Sequence, residues 1–131
     1  MEQKELMDAL VLTKRIGSLM GDVIDLSKQV LESLDRNDQV SARILVGMRA
    51  ESINNLKQAD EAIKKYLAEM PVADDRERLR GLLNGNTNPK PGEEAVAKQA
   101  NSNSAQHKRL LELDKVISLK VAREKSVYVQ K

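Results

Sequence analysis

The stretch from Ala9 to Asp38 reads ALVLTKRIGSLMGDVIDLSKQVLESLDRND, and its spacing decides the fold class. Ala9, Leu12, Ile16, Leu19, Val23, Leu26 and Val30 recur at alternating intervals of three and four, which places them on one stripe of a helix. Met20, Ile24, Leu31 and Leu34 form a second stripe beside the first. An apolar face that wide contacts two neighbours, as in a three- or four-helix bundle. Gly17 and Gly21 lie four apart inside the pattern. Two readings stand for them, close approach of another helix or glycines tolerated at the surface.

Working outward, the stripe stops at Asp35-Arg36-Asn37-Asp38. A turn fits there, with Asn37 or Asp38 capping the next helix through its side-chain oxygen. The other reading is one unbroken helix, since no Gly or Pro enforces the break. A second stripe follows through Leu45, Met48, Ser52, Leu56, Ala59, Ile63, Tyr66 and Met70. Pro71 ends it, because proline disfavours a helical conformation in the residue before it. Each helix has about 30 residues, or about 45 Å, and the pair forms an antiparallel hairpin. Asp74 and Glu77 have the spacing of a capping box, opening a short helix through Leu79, Leu82 and Leu83. Gly85 then occupies the left-handed position after a helix end. The segment 85–92, GNTNPKPG, is the clearest loop in the chain.

The last segment is divided in character. Ala95 to Lys108 is rich in Ala, Asn, Ser and Gln and is expected to pack weakly and move most. Leu110, Leu113, Ile117, Val121 and Tyr128 then restore an apolar pattern. Val127, Tyr128 and Val129 close the sequence as three consecutive apolar residues. These need a dock on the bundle, a second copy or a partner. The expected architecture is therefore all-α, an elongated three- or four-helix bundle within a single domain, residues 1–131. It has a long antiparallel hairpin, a short helix and a long C-terminal helix, with helices near 2–35, 38–70, 74–84 and 93–126.

Composition agrees with thin helical layers. The 131 residues are 40% hydrophobic and 32% charged, but only 2% aromatic, the aromatics being Tyr66 and Tyr128. A length of this kind suits one domain, or long helices that complete a core with a second copy as a homodimer. Twenty-two basic against 20 acidic residues leave a net charge of +2, too balanced to point at nucleic acid. The basic excess at Lys108, Arg109, Lys115, Lys120, Arg123 and Lys125 is diluted by Glu112, Asp114 and Glu124. It has no interleaved aromatics for base stacking. Cysteine is absent, which removes disulfides and thiolate chemistry. The opening MEQKELMDAL lacks the apolar core of a signal peptide, and no apolar run approaches the ~20 residues that span a bilayer. A cytoplasmic protein without membrane insertion is expected.

Searches for chemistry return little. The single histidine, His107, sits among Gln106, Lys108 and Arg109, with no carboxylate to orient it, and reads as a solvent-exposed helical residue. The adjacent pairs Asp60-Glu61 and Glu93-Glu94 point about 100° apart on a helix and do not converge. Glu61 and Lys65 have the spacing of a surface pair. No phosphate-binding loop, dinucleotide fingerprint or nucleophile elbow is present. No catalytic, metal or cofactor residue is therefore assigned, and the expectation is a protein-binding protein that is not an enzyme.

Three features together resemble the flagellar export chaperones of the FlgN type, which serve the hook–filament junction proteins. They are the helix end Val30-Leu31-Glu32-Ser33-Leu34-Asp35 running into Arg36-Asn37-Asp38, the following Ile44-Leu45 with Arg49 about one and a half turns later, and Asn103 followed by Leu110-Leu111-Glu112-Leu113 in a last helix finishing near Tyr128. The short helix before Gly85 and its proline-containing loop depart from the pattern. The resemblance implies a cytoplasmic chaperone that holds an unassembled junction protein for export. It also implies that cargo binds the C-terminal helical region, the matching positions being Leu110, Leu113, Ile117, Val121 and Tyr128. Another helical-bundle adaptor or regulator acting through protein–protein binding is the alternative.

Overall fold

The computed structural model describes the backbone of residues 1–129 and the side chains of residues 1–123. The chain is all-α, with α1 Gln3–Asp35, α2 Gln39–Glu69, α3 Ala73–Leu83 and α4 Glu94–Val129. The hairpin of α1 and α2 turns on three residues. Asn37 takes the left-handed conformation, φ 59°, and its N–H donates to the carbonyl of Leu34 while Asp38 N–H donates to that of Ser33. This double closure satisfies carbonyls that the helix end would orphan. Asp38 then caps α2, its carboxylate accepting from Ser41 N–H at 3.1 Å and from Ser41 Oγ at 2.7 Å. Asn37 and Asp38 thus divide the labour of stopping one helix and starting the next.

At the far end of α2, Met70 is extended at ψ 129°, as its position before Pro71 requires. Gly85 ends α3 at φ 74°. The start of α3 differs from the capping-box expectation. Val72 is the N-cap, and Asp74 and Asp75 lie inside the first turn, where their charge favours the positive end of the helix dipole. Glu77 pairs forward with Arg80 instead of reaching back. On α2 the surface pairs are Asp60–Lys64 at 2.9 Å and Lys65–Glu69 at 4.0 Å, and Glu61 takes no part in them.

α1 is the spine. It packs on α2 along one side and on α4 along the other, while α3 closes the end where α1 begins. The links between α1 and α4 advance together: Thr13 with Asn103, Val23 and Ile24 with Leu110 and Leu113, Asp35 with Lys120. The two helices therefore run parallel. Among the described residues, α2 and α4 nowhere come within 8 Å between Cα atoms, and side chains bridge the space between them.

The most buried line of α1 is Ala9, Thr13, Gly17, Met20, Val23, Ile24, Ser27, Val30 and Ser33. It runs between the two apolar stripes read from the sequence, leaving Leu12, Ile16, Leu19 and Leu26 half-buried on its flank. Small and polar side chains hold the centre because both neighbouring helices press close there. Gly17 shows how close. A Cβ at that position would lie 2.5 Å from Asn103 Oδ1 and 2.7 Å from Gln99 Nε2. Gly21 meets nothing within 4 Å, so the two glycines take one reading each.

The polar half of α4 is the main correction to the sequence reading. Val96, Ala97, Ala100 and Asn103 are all buried. Short side chains do not weaken the contact; they let the α4 backbone approach α1. Asn103 Nδ2 donates to the Thr13 carbonyl at 2.8 Å, and Gln99 donates to Asn103 Oδ1 at 2.9 Å. The Thr13 hydroxyl in turn donates to the Ala9 carbonyl at 2.5 Å. Thr13, Gln99 and Asn103 thereby satisfy one another's buried polar groups.

Candidate protein-binding surface

Two apolar clusters lie along the bundle. The first joins Ala9, Leu67, Met70, Leu79 and Val96, with Leu6, Leu10, Tyr66 and Leu83 packed around it. It is held by a charged corner. Arg78 donates to both carboxylate oxygens of Glu93, at 2.7 and 2.5 Å, and Lys90 N–H donates to the same carboxylate at 2.8 Å. The Arg78 hydrogen bonds hold the Glu93 carboxyl below the usual carboxylate range. The corner ties α3 and loop 85–92 to the start of α4.

The second cluster is Val23, Ile24, Leu110 and Leu113, with Leu31 and Ile53 against it. Beside it, Arg49 of α2 bridges all three long helices. Its Nε donates to Ser27 Oγ at 2.7 Å and its terminal nitrogen pairs with Asp114. Ser27 Oγ donates onward to the Val23 carbonyl at 2.6 Å. Burial alone lowers the Arg49 pKa, without threatening its charge. Arg49 and Asn103, singled out by the family resemblance, thus serve as interhelical ties in this chain.

Leu110 and Leu113 belong to this second cluster and are buried in the chain's own core. Ile117 and Val121 lie farther along the same α4 stripe and are half-buried. The physical reason is the end of α1: its last residue, Asp35, pairs with Lys120, so α1 runs out as α4 continues. The Tyr128 side chain lies outside the described residues. The backbone there remains helical to Val129, beyond the end expected near residue 126.

Several large apolar side chains are exposed around this end. Leu119 is 60% exposed, and Leu111 and Val116 are exposed on α4. On α2, Val40, Ile44, Val46 and Met48 are exposed as well. Met48 is about half exposed, although its spacing assigned it to the core stripe. Ile44 and Leu45 line a shallow concavity between α1 and α2 with Glu32, Ser33 and Arg36. The Val40-Ile44-Met48 run, spaced by four, was the sequence signal that a reading centred on the core stripe passed over.

His107 is exposed. Among the described residues no group of three His, Asp or Glu side chains converges to hold a metal, and no helix is long and apolar enough to cross a membrane. No family profile, curated protein or solved structure matches the chain. The class defined by the fold is a four-helix, all-α chain with one closed end and one apolar, partly open end.

Proposed function

We propose that this chain works by binding another protein, as a cytoplasmic chaperone that holds an unassembled flagellar hook–filament junction protein for export. The observation that supports a binding role is the emergence of the α4 stripe from the core. Ile117 and Val121 are half-buried where α1 ends, and Val116 and Leu119 are exposed on the outer face of the same helix. An amphipathic helix of a partner can lay its apolar side against such a stripe. Cargo of this kind exposes an aggregation-prone helical segment before assembly, and covering it removes apolar surface from water. The flagellar identity of that cargo rests on the resemblance carried by residues 30–38, Ile44-Leu45, Arg49 and Asn103. Leu110 and Leu113 support the surface from beneath.

The test is calorimetric titration of the purified chain with a junction protein, then with Val121→Asp and Leu119→Asp. The reading requires binding by the parent chain and at least about tenfold weakening by one of the two variants, with circular dichroism unchanged. Absence of binding to any junction protein by the folded chain would refute the flagellar reading. Capture of a different protein, sensitive to the same variants, would instead establish the helical-adaptor alternative.

A further inference from the structure

α2 carries a second face that the rest of the chain leaves uncovered. Its buried side is Ala42, Ala59, Ile63 and Leu67. Along the flank of that side, Val40, Ile44 and Met48 are 72%, 60% and 49% exposed and fall four residues apart, forming one ridge of the helix surface. A parallel ridge runs beside it through Arg43, Gly47 and Glu51, all exposed. Gly47 notches that ridge: a Cβ there would meet no heavy atom within 4 Å. Glycine weakens a helix interior, and no contact within the chain accounts for it.

We propose that this face is a self-complementary interface between two copies of this chain, with the two α2 helices crossing antiparallel about a two-fold axis near Ile44 and Gly47. Three features select a second copy as the occupant. The four-spaced ridges suit the commonest way helices interlock, ridge into groove. The Gly47 notch lets the two backbones approach where the helices cross, with an Ile44 packed on either side of the axis. Arg43 and Glu51 flank Gly47 symmetrically, one turn before it and one turn after it. A two-fold axis therefore brings each Arg43 within reach of the partner's Glu51, and the reverse. Within one chain these two residues are two turns apart and do not pair. A patch that carries an opposite charge on each side of its own notch is its own complement, which an isologous contact requires. The face is the length of a few turns of one helix, smaller than a standard stable interface, so association is weak and concentration-dependent.

Sedimentation velocity on the full chain, from low to high micromolar concentration, should show a monomer passing to a dimer. Ile44→Asp should weaken dimerisation at least about tenfold with helicity unchanged, since the side chain is exposed. Arg43→Glu and Glu51→Arg should each be monomeric alone, because each sets like charges against each other across the axis. Mixed in equal amounts they should dimerise again. One copy then presents carboxylates at both positions and the other presents guanidinium groups at both, so both cross-axis contacts become attractive. Recovery on mixing also shows that both variants are folded. A parent chain that stays monomeric throughout, a dimer that survives Ile44→Asp, or variants that fail to recover on mixing would each overturn the proposal.

Discussion

The two ends of the bundle are built from the same helices by different means. Where α1 begins, four elements converge. Ala9, Leu79 and Val96 are sealed, α3 caps the opening, and the Arg78–Glu93 corner pins the loop. Where α1 ends, three helices remain and α4 outruns its neighbour. Large residues at that end, Ile117, Val121, Leu31 and Leu34, stay half-buried, and Ile44 and Leu119 face solvent. Apolar content does not distinguish the ends. The polar, small-residue half of α4 lies at the closed end, and its Leu-rich half leads to the open one. Burial follows how closely backbones approach and how many elements surround a position, and a large side chain without a third neighbour stays wet.

The sharpest way to break that contrast lies on α4 itself. Leu113→Asp places a carboxylate in the second cluster without a partner and should destabilise the fold by about 4 kcal/mol, visible as a collapse of the thermal transition by circular dichroism. Leu119→Asp, six residues on, should change stability by no more than about 0.5 kcal/mol. Equal effects would mean that Leu113 is not a core residue. At the closed end, Leu79→Ala removes a side chain with no exposure and should reduce stability by about 3 kcal/mol in urea unfolding.

The glycines give a smaller and cleaner pair. Gly17→Val drives its Cβ into Asn103 and Gln99, disturbing the hydrogen bond to Thr13, and should destabilise by about 2 kcal/mol. Gly21→Ala meets open space and should stabilise α1 by about 0.5–1 kcal/mol. Opposite signs at two glycines one turn apart are a stringent check on where α4 lies.

These pairs also show what was legible beforehand. The three-and-four periodicity of residues 9–34, the break at Asp35–Asp38, Pro71 and Gly85 are local signals, because capping and backbone restriction act within a few residues. The long helices and the hairpin follow from them. The route of α4 was not legible. Ala, Asn and Ser read as weak packing until Gly17 on another helix turns them into a close seam, and that match spans 86 residues of sequence between Gly17 and Asn103. The candidate site was legible in part. The α4 stripe was visible as a pattern, but which of its members are core depends on where α1 stops, and the exposed Val40-Ile44-Met48 ridge was hidden by assigning Met48 to the buried face.

The smallest expected effect distinguishes the ends by pH. At the closed end the Tyr66 hydroxyl donates to Asp8 at 3.0 Å, and burial first, then the Asp8 bond and charge, push its pKa up to about 12. The unfolded phenol titrates near 10. A group whose pKa is raised by folding contributes stability that is complete below the unfolded value and is lost as pH rises through the folded one. The Tyr66 contribution should therefore be intact below about pH 10 and decline between about 10 and 12. The useful quantity is the difference between parent and Tyr66→Phe, both carrying Tyr128→Phe so that one phenol reports. That difference in urea midpoint should shrink across the window, and amide exchange should quicken first around Asp8 and Leu67, not around Val23 and Leu113. A difference that stays constant with pH would mean that the Tyr66 proton is not held by the closed end.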